Sequence, residues 1–89
     1  MQKRLELKFY GQVQGVGFRL ETQRKANELG LNGWVKNCAD WTVEVVVEGL
    51  DQKLKEFLSW CYNTDINVDK IEVKHQKATG KFDDFSIIY

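Results

Sequence analysis

Across residues 4–10 every second position is apolar: Leu5, Leu7 and Phe9 alternate with Arg4, Glu6 and Lys8. A period of two predicts a strand with one buried face. The spacing then lengthens. Phe18, Thr22, Ala26 and Leu29 recur three to four positions apart, which predicts a helix over residues 18–29 with Arg24, Lys25 and Glu28 facing water. Gly30 is placed to close that helix in the left-handed conformation, and Leu31 to make the hydrophobic contact that accompanies such a cap. Residues 33–38 predict a short strand, residues 39–41 a turn, and residues 42–48 a strand in which Val43, Val45 and Val47 share one face while Val46 adds apolar weight to the other. Leu50, Leu54, Phe57, Leu58 and Cys61 then follow at helical spacing. A polar loop at residues 63–67 leads into an alternating stretch over residues 68–77, and Thr79-Gly80 turns the chain into a last short strand over residues 82–89.

The order is strand, helix, strand, strand, helix, strand, with an extra terminal strand. Two right-handed split βαβ units interleave in that order to give an α+β, ferredoxin-like sandwich. It has an antiparallel sheet, both helices on one face and a short extra C-terminal strand. No Pro, Ser-rich linker or internal repeat interrupts the 89 residues, so a single domain over residues 1–89 is expected.

Composition narrows the function. With 43% hydrophobic residues the chain is too apolar for a disordered segment. No apolar run approaches the roughly 20 residues of a bilayer span, and no leader-like stretch follows the start, so a cytoplasmic protein without a membrane role is expected. Thirteen Lys and Arg against thirteen Asp and Glu disfavour a long nucleic-acid footprint. Residues 1–36 nevertheless hold seven basic and three acidic residues, a local field suited to one small anion. Cys38 and Cys61, lacking CxxC spacing, read as reduced thiols, and with one histidine, His75, a zinc cage is nearly excluded.

The anion has an obvious place. Gly11, Gly15 and Gly17 fall between the first strand and the first helix, where successive backbone N–H groups can turn inward as an anion nest. The helix N-terminus adds unpaired amides and a positive dipole end. Arg19, in the first helical turn, opposes that dipole at a cost of about 0.3–1 kcal/mol unless an anion lies between them. Its guanidinium fork matches the oxygens of a phosphoryl group.

At these residues the chain resembles a family. Gly11-Gln12-Val13-Gln14-Gly15-Val16-Gly17-Phe18-Arg19 is similar to the first signature of the acylphosphatases. Gly33-Trp34-Val35-Lys36-Asn37 is similar to the start of their second, which continues through Val43 to Gly49. The resemblance extends through Ser59-Trp60 to Phe85-Ser86-Ile87 and implies the same ferredoxin-like fold. It implies that Arg19 and the amides of Gln12, Val13, Gln14, Gly15 and Val16 hold a substrate phosphate, and that Asn37 holds the attacking water. The implied reaction is hydrolysis of an acyl phosphate to carboxylate and orthophosphate by a monomer, with no metal and no cofactor.

That chemistry needs little from the protein beyond charge stabilisation and placement. The leaving carboxylate has a conjugate acid of pKa about 4 and needs no general acid. Trp34 is expected to pack in the core, Tyr10 and Phe18 to flank the loop, and His75 to face water. Cys38 has no base to activate it. One departure matters: Trp41 stands where the family has glycine. A side chain at positive φ costs about 1–2 kcal/mol, which favours a different turn geometry there. A misplaced Asn37 would leave a phosphate-binding module that hydrolyses poorly, the alternative reading.

Overall fold

A computed structural model describes residues 1–89. The elements are β1 (Gln2–Gly11), α1 (Phe18–Glu28), β2 (Asn32–Asn37), β3 (Val43–Leu50), α2 (Asp51–Tyr62), β4 (Val68–Lys77) and β5 (Phe85–Ile88). The strands form one sheet in the order β4-β1-β3-β2-β5. β1 is antiparallel to both β3 and β4, and β2 to β3, as interleaved split βαβ units require. Alternation sets the faces: Leu5, Leu7, Phe9, Val35, Val43, Val45 and Val47 all point to one side and form a core with Phe18, Ala26, Leu54, Phe57 and Cys61 of the helices. Helix α1 ends as anticipated. Gly30 has φ 69°, the Gly30 amide donates to Asn27 and the Leu31 amide to Ala26 at 2.9 Å, and Leu31 is buried.

Two positions differ from expectation. Trp34 does not join the core. Gly33 and Val35 are buried on the helix side, so the period of two turns Trp34 to the outer face, directly across from Val46 and with the Lys36 ammonium over its ring. Leu50 ends β3 half-exposed instead of entering the apolar face of α2.

The last strand begins later than its hydrophobicity suggests and runs parallel to β2, which makes the sheet mixed. The connection from β4 is anchored at Glu48, a carboxylate only 4% exposed at the far end of β3. It accepts hydrogen bonds from the Thr79 amide at 2.9 Å, the Thr79 hydroxyl at 2.9 Å, the Gly80 amide at 3.0 Å and the Arg4 guanidinium at 3.2 Å. These contacts carry the segment after β4 across β1 and β3 at that end of the sheet. Asn32 then bonds the Phe82 carbonyl and the Gly33 amide bonds that of Asp84. The chain therefore enters β5 from the same end as β2, and the two must run side by side in one direction. In consequence β1, β2 and β5 all finish at the end of the sheet where α1 begins.

Burial alone would push the Glu48 carboxyl up, but the Thr79 and Gly80 amides, the Thr79 hydroxyl and Arg4 hold it below the usual carboxylate range. Its stabilising contribution is therefore complete above the unfolded pKa and is lost as pH falls through the lower folded value. Glu48→Ala, which removes the carboxylate that gathers the Thr79 and Gly80 amides and the Thr79 hydroxyl while Arg4 keeps Glu6, is expected to cost about 1–3 kcal/mol in urea unfolding at pH 7. The gap between wild type and Glu48→Gln is expected to be full above about pH 5 and to shrink below about pH 4.

Candidate active site

The loop between β1 and α1 is shaped by its glycines. Gly15 and Gly17 adopt φ 75° and 78°, with Val16 between them at negative φ, the alternation that turns successive amides to one side. The amides of Val13, Gln14, Gly15 and Val16 donate to no backbone carbonyl. The Gln12 amide is different. It donates to the Asn67 carbonyl at 2.9 Å, so the structure removes it from the set of free donors. Helix α1 opens at Gly17 with no side-chain cap, which leaves its first amides open as well.

The start of α1 is held by aromatic packing. Phe18 is buried, edge-on to Phe9 at 4.9 Å and stacked on Trp60 at 6.3 Å. That contact fixes the next residue, Arg19, at the rim of a hollow of about 220 Å³ lined also by Val13, Gly15, Gly17, Leu20, Asn37, Ile87 and Tyr89. Arg19 is in no ion pair, and its Cζ lies 5.0 Å from the centre of the Tyr89 ring. Asn37, the last residue of β2, shares the buried-face parity of Val35 and reaches the same hollow. Its Oδ1 is buried and has no hydrogen-bond partner. An acceptor of that kind is costly unless a donor arrives.

The structure thus brings Arg19, Asn37, Val13 and Gly15 to one cavity. Gln12, Gln14 and Val16 instead line a second hollow, which Trp41 and Val13 also border. Ile87 and Tyr89 were not among the site residues read from the sequence, because their place depends on the direction of β5. Tyr10 lies beyond the loop, donating to Glu72, and His75 is exposed on β4. Burial and then the hydrogen bond to Glu44 push the Cys38 thiol up, away from a nucleophilic thiolate.

The turn after Asn37 keeps the left-handed geometry despite its residue. Trp41 has φ 69° and is 74% exposed. Its amide bonds the Cys38 carbonyl at 3.2 Å, and the Cys38 amide bonds the Thr42 carbonyl at 2.9 Å. Asp40 accepts from both the hydroxyl and the amide of Thr42 and pairs with Lys8 at 3.2 Å. The Thr42 hydroxyl first, then its amide and Lys8, pull the Asp40 carboxyl down to about 2. From the loop side, Gln14 Nε2 donates to the Cys38 and Thr42 carbonyls.

Comparison with known proteins agrees with this geometry. The acylphosphatase family model matches residues 5–87. The chain belongs to the acylphosphatase family. It is 44% identical over 87 residues to an acylphosphatase of Paenarthrobacter aurescens, covering 96% of this chain and 93% of that one. An acylphosphatase of Methylococcus capsulatus is 39% identical over 88 residues, with 97% and 96% covered. The crystal structure of acylphosphatase from Bacillus subtilis superposes with a TM-score of 0.92 at 35% identity, over the whole of both chains. The acylphosphatases are hydrolases, and the ferredoxin-like arrangement is that of the family.

Within this acylphosphatase chain, Trp41 pays for the turn with strain and buries little in return. Trp41→Gly removes about 1–2 kcal/mol of left-handed strain and adds back about 0.4–1 kcal/mol of unfolded-state entropy. The substitution is expected to raise stability by about 0.5–1 kcal/mol, read as a higher urea midpoint with an unchanged slope.

Proposed function

We propose that this chain hydrolyses the carboxyl–phosphate bond of small acyl phosphates, releasing a carboxylate and orthophosphate. The phosphoryl oxygens lie against the amides of Val13, Gln14, Gly15 and Val16 and the guanidinium of Arg19. Asn37 holds the attacking water. The single observation that carries the reading is the convergence of Arg19, Asn37, Val13 and Gly15 on one hollow at the start of α1.

A water held by the Asn37 carboxamide keeps a lone pair free to face phosphorus. A new P–O bond forms as the P–O bond to the acyl oxygen breaks, and the electron pair leaves on the carboxylate. That group is a weak base, so no side chain need protonate it. The water's proton passes to a phosphate oxygen. Negative charge spread over the equatorial oxygens is met by Arg19 and the loop amides, donors fixed before the reaction begins. The left-handed φ retained at Trp41 supports an enzyme over a module that only binds phosphate, because it keeps the turn geometry that a glycine would give.

The test is orthophosphate release from benzoyl phosphate. Arg19→Ala is expected to lower kcat by about 10²–10³-fold, the usual loss for one preorganised donor, and to weaken inhibition by inorganic phosphate. Asn37→Ala is expected to lower kcat comparably while the Ki of phosphate stays within about 2-fold. Full activity in either variant overturns the assignment.

A further inference from the structure

Gln14 contributes more than a backbone amide. Its Nε2 donates one hydrogen to the Cys38 carbonyl at 2.8 Å and the other to the Thr42 carbonyl at 2.9 Å. Both partners are acceptors, so the nitrogen and not the oxygen of the carboxamide must face them, and its orientation is fixed by chemistry. The two carbonyls bracket the turn that follows Asn37. Cys38 is the next residue, and Thr42 precedes Val43, the cross-strand partner of Asn37. Each carbonyl already accepts one hydrogen bond from within the turn, Cys38 from the Trp41 amide and Thr42 from the Cys38 amide. Gln14 fills the second lone pair of each.

The turn therefore closes without Gln14, and Asp40, Thr42 and Lys8 brace its other side. What the side chain adds is a tie between two separate pieces of backbone, the phosphate loop and the turn that ends β2. We infer that Gln14 is a positioning residue whose side chain sets the distance from the phosphate cradle to Asn37, so that the water is aimed at phosphorus only while this tie holds. The inference rests on the function proposed above. In-line displacement is sensitive to such spacing: a shift of about 1 Å can cost 10²-fold in rate.

A purely structural tie makes different demands. It would weaken phosphate binding and turnover together, and its loss would be felt whether or not Asn37 is present. The experiment compares wild type, Gln14→Met, Gln14→Glu, Asn37→Ala and the Gln14→Met/Asn37→Ala double variant. The readouts are kcat on benzoyl phosphate, the Ki of inorganic phosphate and the thermal midpoint. Methionine keeps the length and removes both donors, and glutamate sets a carboxylate against two carbonyl oxygens.

Gln14→Met is expected to fold, to hold the Ki of phosphate within about 2-fold and to lower kcat about 10–100-fold, with Gln14→Glu lower still. In the Asn37→Ala background the same Met substitution is expected to cost less than about 2-fold, because the group it positions is gone. Equal losses in both backgrounds, an unchanged kcat, or a Ki that rises in step with the loss of kcat overturns the inference while leaving the proposed reaction standing. A wild type that binds phosphate without turnover overturns the reaction, and this inference with it.

Discussion

Four consecutive backbone amides, at residues 13–16, face no carbonyl, and the rest of the site is organised around that shortage. Of the four residues only Val13 is buried, and Gly15 and Val16 are open to solvent, so their amides are free to meet a ligand. The left-handed glycines prevent the loop from folding back to supply carbonyl partners, and α1 starts without a side-chain cap. Arg19 adds a full positive charge at the positive end of the helix. Three sources of the same sign converge, an arrangement whose electrostatics favour a negative charge.

The sheet holds this arrangement through the direction of its strands. β1 ends at the loop, β2 ends at Asn37, and β5 ends where Ile87 and Tyr89 wall the hollow. Because β4 is antiparallel to β1, it ends at the opposite end of the sheet, and the chain that crosses there must enter β5 parallel to β2. Glu48 holds that crossing through Thr79 and Gly80, far from the hollow that Ile87 and Tyr89 wall.

Local periodicity made most of this legible in advance. The alternation of β1 and β3, the helical spacing of Phe18, Thr22 and Ala26, and the Gly30 cap are features that neighbouring residues decide among themselves. Arg19 was readable from its place beside the glycine loop, Asn37 only through the family resemblance, and both line the same hollow. The features that escaped are those set by distant partners. The Gln12 amide is taken by Asn67, 55 residues away, and the crossing into β5 is held by contacts between Glu48 and residues 31 and 32 positions later. Trp34 carried a usable signal. It shares parity with Lys36 while Gly33 and Val35 share the other, and a period of two sends only one of those pairs inward.

Parity also accounts for the strained tryptophan. The register of β2 against β3 is set by the turn between them, and a slip of one residue moves every side chain of a strand to the opposite face. Were Trp41 to escape its positive φ by a longer or shorter turn, Asn37 would leave the helix side, where Arg19 and the loop amides lie, for the outer face beside Trp34. The strain of about 1–2 kcal/mol is outweighed locally. Thr42 binds the Asp40 carboxylate through two hydrogens, Lys8 neutralises it from β1, and Gln14 ties both turn carbonyls to the loop. Those same bonds keep Asn37 facing Arg19. In this chain the geometry that a glycine would give without strain is imposed by the surrounding polar network, because any other geometry would separate the two halves of the site.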